Sequence, residues 1–316
     1  MLKPVLDIFG KIHRKNHFSS VLWSKKYSSG KDAEPGGIEV TRQGEIGLIG
    51  INRPSVQNSL NDDLTMRLFA EIERLEEDNS ILVGVLHGVG GTFCAGYDLN
   101  SISRTTFSKV SRPTRRILRK PFVCAMSGYC LGNGLELALM CDMRVIEESC
   151  VIGFLNRRFG VPLIDGGTAR LPAMVGLSRA LDLILTGRHV TAKEAYEMGL
   201  ASRFVANGTG VGQAVNAAIA IAKFPQKSLM HDRASVYRAT FDSPSLEDSM
   251  RYEIDSVSSE IIDEAVMCSR RFSDGLGKGG KFHDIKKKPI ADWEADEIAR
   301  EKTKRGVECE VKSSKH

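Results

Sequence analysis

Nowhere in the 316 residues is there an uninterrupted apolar run of about 18, the length a helix needs to cross a bilayer. Seven cysteines (Cys94, Cys124, Cys130, Cys141, Cys150, Cys268 and Cys309) include no CxxC pair and no Cys/His spacing suited to a metal ion. Most stand inside apolar runs, which reads as small buried hydrophobes in a reducing compartment, with no disulfide framework. A large excess of one charge sign is also absent. The 44 Lys and Arg against 39 Asp and Glu leave a formal +5, a weak argument for anionic ligands and none by itself for nucleic acid.

What is present suits a chain with one large core or two modest ones: 42% hydrophobic and 26% charged residues. Residues 1–35 stand apart. Their first 31 carry Lys3, Lys11, Arg14, Lys15, Lys25, Lys26 and Lys31 against one acid, Asp7, with serines gathered from Ser19 to Ser29. A basic, serine-bearing, acid-poor segment predicts a mitochondrial transit peptide and a matrix location; a basic disordered tail is the alternative. Residues 276–316 mix glycine with dense charge and predict a partly disordered extension.

Between them, 36–275, the chain alternates strand and helix signals. Residues 38–43 and 46–51 read as a strand pair with a tight turn at Gln43-Gly44. Leu64, Leu68, Ile72 and Leu75 recur at helical spacing. "ILVGVLHG" and "KPFVCAMSG" are short apolar strands ended by glycine, and 167–175, 177–186 and 191–198 read as helices. Thr191 is the expected N-cap of the last and Gly199 its end. Strands alternating with helices predict an α/β architecture.

One carboxylate stands out. In "SGYCLGNGLELALMCD" (127–142), Glu136 lies at the mouth of an apolar helix, after Gly132 and Gly134, which allow close backbone approach. The first N–H groups of a helix lack intrahelical partners and favour an anion, or an oxygen that becomes one during a reaction. Glu136 three residues after Asn133 shares that face. It could exchange a proton there, or merely cap the helix. The stretch lacks the GK[ST] ending of a Walker phosphate loop.

"GGTFCAGYDLN" (90–100) leaves a buried strand in the same way, with Ala95 and Gly96 before a turn. Two such exits at one sheet edge could aim two N–H donors at one oxygen, an oxyanion hole.

Five blocks in order, "NRPSVQNSL", "GTFCAGYDL", "SGYCLGNGLELALMCD", "GVPLIDGGTARLP" and "LTGRHVTAKEAYEMGLASRFV", resemble the enoyl-CoA hydratase/isomerase, or crotonase, superfamily. The resemblance implies a crotonase-like spiral of ββα units with a C-terminal helical region, assembled as a homotrimer or a dimer of trimers. It implies an acyl-CoA thioester substrate, whose coenzyme A is part of the substrate, with no metal and no separate cofactor. By motif position, backbone N–H groups of Tyr97 and Asn133 form the oxyanion hole, Asn133 standing where the family usually has glycine. Ala95, Gly96, Asp98, Leu99, Asn100 and Gly132 are the expected substrate-binding residues.

Glu136 matches the first of the two glutamates with which hydratases of the family add water. The second position, in "IGFLNRRFG", is Asn156, which exchanges no proton at neutral pH. Asp165, in "PLIDGGT", aligns with an aspartate of the family's dienoyl-CoA isomerases and is the expected second catalytic residue; an Asx turn or helix cap is its other reading. Lys109, Arg112, Arg115, Arg116 and Arg119 read as a rim for coenzyme A phosphates, as an RNA-binding surface, or as a solvated basic helix. The leading expectation is an enoyl-CoA hydratase-like enzyme. An enoyl-CoA or dienoyl-CoA isomerase, or a non-catalytic acyl-CoA- or RNA-binding member, are the alternatives.

Overall fold

The computed structural model describes residues 37–99, 114 and 116–277. Strands β1 (Gly37–Gln43) and β2 (Ile46–Asn52) form the expected antiparallel hairpin around Gly44. Helix α1 (Asp62–Glu77) follows, and the Asn61 side chain caps it by accepting from Leu64 N at 2.8 Å. Its apolar stripe of Leu64, Leu68, Ile72 and Leu75 is buried as the periodicity predicts.

Strands β3 (Val83–Gly88), β4 (Phe122–Met126), β6 (Met143–Glu147) and β9 (Arg203–Val205) extend β1 and β2 into a six-stranded sheet, order β1-β2-β3-β4-β6-β9. All its pairings after the first are parallel. Strand residues alternate between two apolar layers, as the period of two requires. Val83, Val85, Val123, Ala125 and Val145 pack with Ala214, Ala217 and Ala218 of α6 (Gly210–Ala222). Leu86, Phe122, Cys124 and Met126 face the larger core, which includes the α1 stripe and α2 (Asn133–Met140).

A second sheet, order β5-β7-β8, sets the site. It comprises β5 (Tyr129–Leu131), β7 (Val151–Gly153) and β8 (His189–Thr191). Strand β5 feeds directly into α2, and Gly132 N donates to Gly153 O at 2.8 Å. That bond brings the 3-10 turn Leu155–Phe159 beside the start of α2. Helices α3 (Gly167–Val175), α4 (Leu177–Thr186) and α5 (Ala192–Glu197) follow at the expected positions. Thr191 caps α5 through Glu194 N, and Gly199 follows in the left-handed conformation.

The C-terminal helical region consists of α6, α7 (Gln226–Phe241), α8 (Leu246–Asp255) and α9 (Ser259–Ser273). Five cysteines (Cys94, Cys124, Cys130, Cys141 and Cys150) are buried free thiols, as their apolar setting predicts, and Cys268 is partly buried. Burial pushes the Cys94 thiol up to about 12, far from reactivity. The 1–35 and 276–316 boundaries fall almost wholly outside the described residues.

Candidate active site

The strand exit after β3 and the start of α2 run side by side. Cys94 N donates to Tyr129 O, and Leu131 N donates to Cys94 O at 3.0 Å. Gly96 then passes so close to the second segment that an added Cβ would meet Leu131 O at 2.8 Å; its φ of +99° also disfavours any side chain. Leu60 bonds Gly96 O and Asp98 N on one edge. Tyr97 lies between those two groups and borders the cavity. Asn133 opens α2, so its N–H has no acceptor within the helix.

A cavity of about 180 Å³ lies between these segments, lined by Ala95–Tyr97, Leu99, Leu131–Asn133, Glu136 and the 155–162 turn. Of the expected binding residues, Ala95, Gly96, Leu99 and Gly132 therefore line it. Asp98 does not: its carboxylate turns to Arg53, at 3.1 Å. Asn100 lies outside the described residues.

Glu136 is 2% exposed, on a helix whose eight residues are all buried. It does not cap that helix. Its Oε1 accepts from Asp165 N at 3.0 Å and from Gly167 N, the first residue of α3, at 2.9 Å. Only glycine allows this at 167, since a Cβ would sit 2.9 Å from both Cγ and Oε1 of Glu136. Oε2 makes no hydrogen bond among the described residues and is the oxygen left to the cavity. Burial pushes the carboxyl up to about 7, opposed by the Gly167 N–H and reinforced by the negative charge of Asp165. A carboxyl balanced near neutrality can both take and give a proton.

Asp165 is 1% exposed and does not cap α3 either; Gly166 is the N-cap of that helix, with no side-chain cap bond. Its Oδ2 accepts from Tyr97 Oη at 2.9 Å and Asn133 Nδ2 at 2.6 Å, and its Oδ1 from Thr114 Oγ1 at 2.9 Å. Asp165 is not among the residues lining the cavity.

Asn156 is a lining residue. Its Nδ2 donates to Val161 O at 2.7 Å, while its buried Oδ1 has no hydrogen-bond partner among the described residues. An acceptor left unmatched beside a cavity suits a water or a substrate donor. The basic stretch contributes less than its charge suggests. Arg116 and Arg119 pair with the buried Glu76 of α1 at 2.7 and 3.4 Å, and Lys109, Arg112 and Arg115 lie outside the described residues.

Residues 41–268 match the family model described as enoyl-CoA hydratase/isomerase. The chain belongs to the enoyl-CoA hydratase/isomerase family. As a member of the enoyl-CoA hydratase family it is similar to the "Probable enoyl-CoA hydratase" of Rhizobium meliloti, 36% identical over 68% of this chain and 85% of that one. It is 31% identical to the "Probable enoyl-CoA hydratase, mitochondrial" of Dictyostelium discoideum, over 67% of this chain and 78% of that one. A solved enoyl-CoA hydratase from Mycobacterium tuberculosis H37Rv superposes with a TM-score of 0.68 at 28% identity, covering 75% of this chain and 97% of that one. The crotonase fold expected from the five motif blocks is the fold observed.

Several members of this crotonase site carry no signal in the sequence. Thr114, the side-chain amide of Asn133 and the phenol of Tyr97 meet Asp165 across 32 to 68 residues of chain. No local pattern could announce those contacts.

Proposed function

We propose that this enzyme hydrates a 2-enoyl-CoA thioester with one glutamate. The observation that carries the reading is the Glu136 carboxylate, fixed through Oε1 by two backbone N–H groups while Oε2 is left to a cavity bordered by Tyr97 and Asn133. The N–H groups of Tyr97 and Asn133 would hold the thioester oxygen. In other enzymes each such donor is worth about 2.7–4 kcal/mol.

Water attacks C3 and gives its proton to Glu136 Oε2. The electrons of the 2,3 double bond move toward the carbonyl, giving an enolate whose oxygen rests on the two N–H groups. The protonated Oε2 then delivers the proton to C2. One C–O bond and one C–H bond form, the double bond is lost, and the carboxylate is regenerated. Asn156 Oδ1 accepts from the attacking water and directs its lone pair. The thioester is its own electron sink, so the steps use no separate cofactor; coenzyme A arrives with the substrate.

Double-bond isomerisation shares the enolate. It too can run on one carboxylate, with Glu136 moving a proton between C2 and C4, since the Asp165 carboxylate is engaged by three side-chain donors and does not line the cavity. Turnover of short 2-enoyl-CoA thioesters in heavy water separates the readings. The expected product is a 3-hydroxyacyl-CoA with deuterium at C2. Migration of the double bond alone would make the enzyme an isomerase. Thioester binding with neither product nor exchange would make it a binding protein.

The basic, serine-bearing N-terminal segment, together with the mitochondrial name of the Dictyostelium relative, supports a mitochondrial matrix location. A homotrimer or dimer of trimers is supported by the apolar residues on the outer helices, among them Leu246 and Ile254, each 76% exposed. Sedimentation of the purified protein tests that assembly.

A further inference from the structure

We infer that Asp165 is a positioning residue: its buried carboxylate clamps both oxyanion donors while its backbone N–H holds the glutamate, making one rigid unit. The inference rests on the site reading above. Tyr97 and Asn133 come from separate parts of the chain, the exit of β3 and the start of α2. In the proposed function each supplies its backbone N–H to the thioester oxygen, and each gives its side chain to the same oxygen, Oδ2 of Asp165, at 2.9 and 2.6 Å. The clamp is a short side chain away from the donor in Asn133 and a rigid aromatic ring away in Tyr97. The spacing of the two N–H groups is therefore fixed by a shared anchor as well as by the strands beneath them.

The chemistry of the anchor suits this task. A carboxylate is an acceptor on both oxygens, so it takes Tyr97, Asn133 and Thr114 at once. Hydrogen bonds to an ionised acceptor are roughly twice as strong as neutral ones. Burial makes an uncompensated charge costly, so the donors are compelled to stay. The backbone of the same residue completes the unit. Its N–H holds Glu136 Oε1, and its C=O accepts from Arg170 Nη1 at 3.2 Å. Arg170 in turn donates to Thr114 O and Arg116 O, at 2.6 and 3.0 Å. A displacement of about 1 Å in such a constellation costs on the order of 100-fold in rate. A clamp of this kind carries no proton, which separates it from a catalytic aspartate.

The test uses four variants of the full chain: Tyr97→Phe, Asn133→Ala, Asp165→Asn and Asp165→Ala. Each keeps every backbone N–H. Two readings are taken, kcat with a 2-enoyl-CoA and the absorbance red shift of bound 2,4-hexadienoyl-CoA, which reports polarisation of the thioester carbonyl. Asp165→Asn can still accept from Tyr97 and Asn133 through its amide oxygen while its NH2 meets the Thr114 hydroxyl. It is expected to retain kcat within about tenfold and most of the red shift. Asp165→Ala is expected to lose roughly 100-fold in kcat and much of the red shift, with probe Kd little changed. Tyr97→Phe and Asn133→Ala are expected to show partial forms of the same loss, and they decide the matter should Asp165→Ala fail to fold.

Full red shift and unchanged kcat in Tyr97→Phe and Asn133→Ala would overturn the clamp. So would an Asp165→Asn variant that keeps the full red shift but has no activity, because Asp165 would then be moving a proton. Since the red shift needs no turnover, a wild type that polarises the probe but hydrates nothing would sink the hydratase reading alone. In that case the losses of red shift still test the clamp. A wild type that binds the probe without any shift overturns both.

Discussion

Asp165 donates its backbone N–H to Glu136 Oε1 at 3.0 Å, so the two buried carboxylates of this site meet through main chain and not through a shared proton. Gly167 N supplies the second bond to the same oxygen. Such an arrangement leaves one oxygen of Glu136 fixed and the other for chemistry. It also sets two negative groups near each other inside the protein, and the proton affinity of Glu136 rises for that reason as well as for its burial.

Replacing Glu136 with glutamine should keep both backbone bonds through the amide oxygen while removing the exchangeable proton. We expect kcat for hydration to fall by roughly 10²–10⁴, the usual range for a general acid–base group. Thioester affinity should change little. Steady-state kinetics paired with direct binding would expose the opposite pattern, a lost affinity with normal kcat.

The pH profile should carry the same group. Water activation requires the ionised form, so kcat/KM in the hydration direction is expected to rise through a limb at about pH 7. Stability should run the other way. A carboxyl raised from 4.5 to about 7 holds its proton more tightly in the folded chain. The associated stabilisation is complete below 4.5 and is lost as pH climbs through 7, on the order of 3 kcal/mol in all. Glu136→Gln does not titrate, so its stability relative to wild type should grow between pH 4.5 and 7 and then level off. Denaturant midpoints for both proteins across that range would reveal it, and a constant difference would contradict it.

Asn156→Ala removes the unmatched acceptor beside the cavity. Hydration should slow by about tenfold, equivalent to one hydrogen bond of about 1.4 kcal/mol. Asn156→Glu restores a carboxylate acceptor and should retain hydration. Equal rates in wild type and Asn156→Ala would show that the water is oriented by other groups.

Gly167→Ala tests how tightly the glutamate is held. The new methyl would lie 2.9 Å from Cγ and Oε1 of Glu136, so the carboxylate must shift. A loss of about 1–3 kcal/mol in stability is expected from overpacking, together with a drop in kcat of at least roughly tenfold. Thermal unfolding and kinetics on one preparation measure both, and undiminished activity would argue that Glu136 tolerates displacement.

Much of the fold was legible because the signals are local. The α1 stripe at Leu64, Leu68, Ile72 and Leu75, the hairpin at Gly44 and the Thr191 cap each depend on residues within a turn or two. The three-residue strands β8 and β9 were not legible; they are too short for a period of two to register and exist because neighbouring strands pair with them. Ordered motif blocks carried the family resemblance, and with it the expected roles of Glu136, Tyr97 and Asn133.

What the sequence could not determine is where each carboxylate points. Glu136 and Asp165 both have helix-capping contexts in the chain, yet neither side chain caps its own helix. Tertiary structure decided otherwise because burial leaves a carboxylate no water, and compensating donors are brought by distant segments: the N–H groups of Asp165 and Gly167 to Glu136, and Tyr97, Thr114 and Asn133 to Asp165. The residue types and their order are written in the sequence. Their pairing is settled only when two strand exits and a helix start converge on one cavity.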